Sequence, residues 1–395
     1  MKNLNMWKSI FFALSFIPYL GLEGITFEEA KERLLAYQIP LKHAELQVQI
    51  QRAQEVQAGL WPNPSLTVEL DSFGGNRTYR GVNQAGMTYT YTQPVTITGR
   101  ILAQKKVASW NTLIAEWDWE IARQDLILAL KNNWIDAALA QELHALNQER
   151  VECSHAELAT KEKPLEKKKG ALNCLAVQRS AAKALQGKKD AHTALARQWG
   201  GETPDFEQVE HHLLPLQTLP PLEELKAQLE NNPEYNKSAA AYGLAEDQTC
   251  LEKSKKTGGD IDLSAGISTW KCNTDRAFFF EVEVPLPFYD QNQGNIGSAQ
   301  ITSLQALYLR EAFRIDLTAK LENAYSAWQK AYAEALDIEK QSLPLAQETH
   351  SIAETPEDKL DAQETLLDLR EAYLNAAADA AHKRAEIERI IGSCP

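Results

Sequence analysis

The chain has 395 residues, 44% of them hydrophobic and 24% charged, with 19 Gly and 16 Pro; this excludes a disordered or fibrous chain and suits two units of about 150–200 residues. A formal net charge of −13 argues against nucleic acid or anionic lipid headgroups as main partners. Beyond the first two dozen residues no apolar run reaches the ~18 residues of a spanning helix, which excludes a polytopic helical membrane protein but leaves open a β-barrel, whose alternating strands carry little bulk hydrophobicity.

At the N-terminus, Lys2 and Lys8 precede an apolar stretch from Ile10 to Leu22, broken only by Ser15, Pro18 and Gly21. Residues 1–24 read as a secretory signal peptide cleaved around Gly21–Gly24; a buried N-terminal helix is the alternative. Thr26-Phe27-Glu28-Glu29 is a capping box, in which the Thr hydroxyl accepts from the amide three residues on and Glu29 reaches back.

The chain then repeats itself. Pro40 is followed by a helical segment, strands at about 65–72 and 86–95, and a long helical run; Pro233 is followed by a helical segment, strands at about 260–270 and 276–287, and another long helical run. Pro40 and Pro233 are 193 residues apart, as are Pro94 and Pro287, which points to an internal duplication. The repeats are placed at 25–203 and 222–392, with residues 204–221, rich in proline, as the linker.

After Gly99, Ile101/Leu102, Trp110, Leu113/Ile114, Trp117, Ile121, Leu128, Trp134/Ile135 and Leu139 recur at spacings built from three- and four-residue steps, one face of a helix near coiled-coil periodicity. This pattern extends to about Lys169, and a second run extends from Asn295 to about Glu354. Such lengths, ~90–100 Å at 1.5 Å per residue, exceed those of globular helices and imply a coiled coil or a helical tube. Pro164 and Pro344 fall inside the runs and should kink or interrupt them.

The strands alternate. Leu66, Val68 and Leu70 oppose Thr67, Glu69 and Asp71; Met87, Tyr89 and Tyr91 oppose Thr88, Thr90 and Thr92. Ile261, Leu263, Ala265 and Ile267 oppose Asp262, Ser264 and Gly266; Phe278, Phe280 and Val282 oppose Phe279, Glu281 and Glu283. Each strand is long enough to cross a bilayer when tilted, and Phe73, Tyr79, Trp270, Phe288 and Tyr289 lie near strand ends, as interfacial girdles do. Four strands cannot close a barrel, so other subunits would have to satisfy the edges in lipid. The alternative is a soluble antiparallel sheet with one wet face.

Catalytic and metal-binding patterns are sparse. The chain has no G-x-S-x-G, H-E-x-x-H or C-x-x-C, and Gly258-Gly259 lacks a phosphate-loop sequel. The five cysteines (Cys153, Cys174, Cys250, Cys272, Cys394) are odd in number and scattered, unlike a disulfide framework or metal cluster. His211-His212, in the linker, reads as a surface pair rather than a ligand set. No catalytic residue, cofactor or bound metal is expected. Asp358 and Asp361, three apart on one helix face, form a carboxylate pair at a helix start, where the macrodipole favours acidic residues.

Several stretches together carry a family likeness: Ala58-Gly59-Leu60-Trp61-Pro62-Asn63-Pro64-Ser65-Leu66 before the first strand; Gln93-Pro94; Val284-Pro285-Leu286-Pro287-Phe288-Tyr289-Asp290-Gln291-Asn292-Gln293-Gly294; Leu343-Pro344-Leu345-Ala346; and Leu360-Asp361-Ala362-Gln363 with Arg370-Glu371-Ala372-Tyr373-Leu374. In this order they resemble the TolC-like outer-membrane efflux family, especially the branch paired with heavy-metal resistance-nodulation-division (RND) pumps. The resemblance implies a mainly α protein with a minor β part. Long coiled-coil hairpins would form a periplasmic α-barrel, and four strands per protomer would join a trimeric 12-stranded transmembrane barrel.

It also implies a homotrimer in outer-membrane lipid, most of its mass periplasmic, that passively conducts substrate outward. Its partners would be a periplasmic adaptor (membrane-fusion protein) and an inner-membrane RND-type pump, with no nucleic acid. Asp358 and Asp361 would then line the periplasmic gate, and Glu69, Asp71, Asp262, Glu281 and Glu283 the barrel lumen. Gly170, Leu172 and Asn173 would lie at the adaptor-facing tip of the first hairpin. The second tip departs from the family pattern, lacking the Gly and carrying Thr355-Pro356-Glu357 instead; the basic stretch Lys161–Lys169 is a further departure. Outside this resemblance, the competing class is a secreted periplasmic coiled-coil structural or adaptor protein without a pore.

Overall fold

The computed structural model describes residues 24–161, 163–210 and 216–393. The signal peptide, apart from Gly24, and the His211-His212 pair lie outside the described residues. The described chain is built from nine α-helices and four strands: α1 (Phe27–Tyr37), α2 (Ile39–Ala58), β1 (Ser65–Asp71), β2 (Gly86–Val95), α3 (Arg100–Thr160), α4 (Pro164–Arg197), α5 (Leu222–Ala227), α6 (Pro233–Ser254), β3 (Ile261–Trp270), β4 (Arg276–Glu283), α7 (Gln293–Asp337), α8 (Leu343–Ile352) and α9 (Pro356–Ile390). The order helix, two strands, long helix therefore occurs twice.

Helix starts follow local chemistry. The Thr26 box forms: the Glu29 amide donates to Thr26 Oγ1 at 3.3 Å, and the Thr26 amide to Glu29 Oε2 at 3.1 Å. Proline occupies the first helical turn of α2, α4 and α6, where its missing N–H costs no bond. Asn232 caps α6, its Oδ1 accepting from the Tyr235 amide at 2.9 Å, while its Nδ2 donates to the Ile390 carbonyl at the end of α9.

The two prolines inside the long runs act differently. The first run does not reach Lys169; α3 ends at Thr160 and Pro164 opens α4, with Lys163 extended at φ −72°, ψ 139°. Proline excludes helical geometry from the residue before it, and this sets the break. In the second run α7 ends at Asp337, a π turn spans Ile338–Ser342, and Pro344 falls at the second position of α8. The wider turn absorbs the bond that Pro344 cannot donate. Strand β4 stops at Glu283, short of the expected 287, because Pro285 and Pro287 have no ladder donor.

Two compact units result, each drawing on both halves of the chain. Among the described residues, the first holds those from Gly24 to Ala36, from 133 to 210 and from 338 to 378. Its core includes Leu34, Leu146, Leu195, Val209 and Leu367, and its linker residue Val209 pairs with Ile25 in a parallel bridge. Phe206 packs on His192 and Trp199 at centroid distances of 5.1 and 6.1 Å. The second unit holds 37–132, 216–337 and 379–393. Its helical core is Leu225, Leu321, Ala324, Trp328, Ile387 and Ile391, with Trp328 stacked on Tyr332 at 5.1 Å. The second unit also carries the sheet, an antiparallel array in the order β1-β2-β3-β4.

Candidate functional site

The register of this sheet fixes which side chains share a face, because directly opposed residues in an antiparallel pair project to the same side. Leu66 faces Tyr91, Tyr91 faces Ala265 and Ala265 faces Phe280; Val68, Tyr89, Ile267 and Phe278 form the next row. Across these two rows the face is apolar from edge to edge, with Thr269 and Arg276 joining it in the row of Leu70 and Met87, and Gln93 in the row of Leu263 and Val282. It is uncovered in the chain: Leu66 is 69% exposed, Phe278 85% and Phe280 69%. Each such side chain gains ~1.5–3 kcal/mol on transfer out of water, so the face requires an apolar environment.

The other face gathers every acidic strand residue singled out in the sequence. Glu69 faces Thr88, which faces Ser268; Asp71 faces Gly86; Ser264 faces Glu281; Asp262 faces Glu283. Glu69, Asp71, Asp262, Glu281 and Glu283 thus share one side of one sheet. Two hydroxyl pairs join them there, Thr88 with Ser268 at 3.0 Å and Thr92 with Ser264 at 2.8 Å. These pairs span the junction between the two repeats. Their signal was the Thr at alternate positions of β2; their partners in β3 depend on a pairing that no local pattern announces. Phe279 belongs to the same face, directly opposite Gly266.

The sheet is anchored at the helix-proximal end of β3. Asp260 accepts from Thr96 Oγ1 at 2.8 Å and from Arg100 Nη2 at 2.5 Å, tying the start of α3 to the start of β3. Asn292, before α7, donates to both the Glu252 carbonyl and its Oε2 at 2.8 Å. Hydrogen bonds from Lys255 and Asn292 hold the Glu252 carboxyl below the usual carboxylate range. Further along this unit, Arg389 is 8% exposed and donates to Asp125 Oδ1 at 2.8 Å and Glu234 Oε1 at 2.9 Å. The sequence reading did not single out this triad, since its members lie on α3, α6 and α9.

In the first unit, Asp358 and Asp361 occupy the opening turns of α9, both exposed. Asp358 is engaged in the cap: its amide donates to Thr355 Oγ1 at 3.1 Å, and that hydroxyl donates to its Oδ2 at 2.6 Å. The turn between α8 and α9 falls at 353–355, at the Thr355-Pro356-Glu357 departure from the family pattern. The turn between α3 and α4, however, falls at 161–163 and not around Gly170. Gly170, Leu172 and Asn173 lie within α4. Gly170 is buried, and a β-carbon there would stand 3.2 Å from Leu158 Cδ1, so the glycine serves close helix packing. Leu172 is 69% exposed.

Among the described residues, no group of three or more His, Cys, Asp or Glu is placed to hold a metal ion, and no helix is long and apolar enough to cross a membrane.

No family model matches the chain. It is 27% identical over 357 residues to the cobalt-zinc-cadmium resistance protein CzcC of Cupriavidus metallidurans, covering 85% of this chain and 82% of that protein. In structure it superposes on CusC, a transmembrane channel, with a TM-score of 0.73 and 18% identity over 93% of this chain and 92% of that one. It superposes on the open-state MtrE outer-membrane channel of Neisseria gonorrhoeae with a TM-score of 0.70 and 16% identity over 93% and 88%. The chain thus shares the fold of these outer-membrane channels and is similar in sequence to CzcC over most of its length.

Proposed function

We propose that this chain is the outer-membrane member of a tripartite efflux system and passively conducts substrate from the periplasm to the exterior. The observation that carries this reading is the sheet. Its apolar face is broad and uncovered, its acidic side chains all share the opposite face with the Thr88–Ser268 and Thr92–Ser264 pairs, and β1 and β4 each leave one edge unpaired. In lipid those edges need partners, and three copies of four strands supply twelve, within the range of known barrels. The acidic face then lines a water-filled lumen that favours cations.

On this reading the helices build the periplasmic part. Asp358 and Asp361 place six carboxylates at the gate of a trimer, where mutual repulsion resists closure and attracts multivalent cations. A periplasmic adaptor engages the hairpin ends, including the first turns of α4 with Gly170, Leu172 and Asn173, and couples the channel to an RND-type pump. The likeness to CzcC favours divalent metal ions as cargo.

Reconstitution of the purified protein into planar bilayers tests the reading. Stable, cation-preferring single-channel steps are expected, from a species that runs as a heat-modifiable trimer in detergent. A monodisperse, detergent-free monomer with no conductance would instead support the secreted structural reading.

A further inference from the structure

One side-chain cluster in the first unit lies apart from the gate and lumen residues named above. His155 of α3 and Cys174 of α4 meet across the helix pair, the Cys174 sulfur lying 3.7 Å from His155 Nδ1 and 3.9 Å from Nε2. Gln178, one turn beyond Cys174, touches both, its Nε2 3.2 Å from His155 Nε2 and 3.7 Å from the sulfur. Cys174 is 5% exposed, while His155 and Gln178 are open to solvent. The close approach has a cause: Gly170, one turn before Cys174, lets α4 settle against Leu158, one turn after His155. The thiol is free.

We propose that Cys174 and His155 form a two-coordinate site for a soft monovalent d10 cation, Cu(I) or Ag(I). Thiolate and imidazole are the donors such ions prefer. Metal–sulfur and metal–nitrogen bonds of roughly 2.3 and 2.0 Å place in-line donors about 4.3 Å apart. The observed 3.7 Å opens to this by a small rotation of the exposed ring. Zinc or cadmium is disfavoured because four-coordinate ions need further ligands, and among the described residues none complete such a set.

Proton bookkeeping is closed. With the Gln178 amide donating to Nε2, the ring proton resides on Nδ1, facing the sulfur. Binding releases the thiol proton to solvent and moves the ring proton from Nδ1 to Nε2. The Gln178 amide turns to present its carbonyl oxygen to that proton. One proton leaves per cation bound. The site does not depend on the channel reading, since it needs only the α3–α4 pair.

The test is an anaerobic titration of the full-length purified protein with Cu(I), against a chromogenic Cu(I) chelator. In a background with Cys153, Cys250, Cys272 and Cys394 replaced by Ser, one Cu(I) per chain is expected. Cys174→Ser should abolish binding, and His155→Ala, at an exposed position, should weaken it roughly tenfold or more. X-ray absorption should show one sulfur and one nitrogen neighbour, the nitrogen vanishing in His155→Ala. Should the serine background fail to fold by circular dichroism, His155→Ala in the unaltered chain reads the same nitrogen signal. Unchanged Cu(I) affinity or an unchanged absorption spectrum in His155→Ala would overturn the proposal.

Discussion

The ring of Phe279 lies across Gly266 of the neighbouring strand, where a β-carbon on Gly266 would stand 2.4 Å from the ring Cζ. The two residues are directly opposed on the polar face of the sheet. A side chain larger than hydrogen at 266 displaces the aromatic ring into the space that face encloses. On the channel reading, Phe279→Ala removes three rings from the lumen and raises single-channel conductance, with the trimer intact. Gly266→Val drives a branched side chain against the ring and the Tyr89 carbonyl and lowers the temperature at which the trimer dissociates on gels. Conductance unchanged in Phe279→Ala would place that ring outside the ion path.

Asp358 and Asp361 differ in what else they do, and this makes their roles separable. Asp358 closes a cap with Thr355, so Asp358→Ala loses ~1 kcal/mol of helix stability along with a charge. Asp361 has no part in the cap. Asp361→Ala should weaken block by periplasmic multivalent cations with no change in thermal unfolding, while Asp358→Ala should alter both. Asp358→Ser supplies a control that lowers the charge and keeps a hydroxyl at the helix start. Block that survives both alanine changes would remove the pair from the gate.

Arg389 is buried between two half-exposed carboxylates. Removing it leaves Asp125 and Glu234 able to hydrate, so the cost stays below the several kcal/mol of a fully buried pair. Arg389→Met, which keeps most of the aliphatic packing, should destabilise the protein by about 1–3 kcal/mol. Arg389→Lys should recover only part of this, because an ammonium does not reach two carboxylates in a fixed fork. Thermal unfolding followed by circular dichroism measures both.

His192 is 4% exposed, and its Nε2 makes no hydrogen bond. Burial, reinforced by Lys188, pushes its pKa down to about 4. The unfolded chain, with an ordinary value near ~6.5, binds the proton first, so stability is full above that value and falls as pH drops toward about 4. The loss is about 3 kcal/mol at most. His192→Leu should flatten the pH dependence across this window, read from the fluorescence of Trp199, which sits beside Phe206 in the same cluster. Parallel profiles for the two proteins would contradict this assignment.

Local pattern carried most of the architecture. The strands were legible because alternation survives in every one, and their acidic members fell on one face because alternation fixes parity. The Thr26 box and the break at Pro164 were legible because caps and prolines act within a few residues. What was not legible depends on partners far along the chain. The register of β2 against β3, and with it the Thr88–Ser268 and Thr92–Ser264 pairs, links segments about 170–180 residues apart. Gly170 drew the first turn to the wrong place: a glycine in a polar helical stretch signals a bend as readily as a close helix contact, and here Leu158 decides it. The Arg389 triad escaped for the same reason, being assembled from three distant helices; the Cys174–His155 pair, 19 residues apart, escaped because it depends on where the turn between α3 and α4 falls.

The most direct measurement concerns the open edges of β1 and β4. Cysteines introduced at Thr67 in β1 and at successive positions from Ala277 to Glu281 in β4, in a chain otherwise free of cysteine, can be oxidised in outer membranes and resolved on denaturing gels. The account predicts a covalent ladder ending at three chains, strongest at alternate positions of β4. Cross-links confined to single chains, or none from a protein recovered in the soluble fraction, would contradict it.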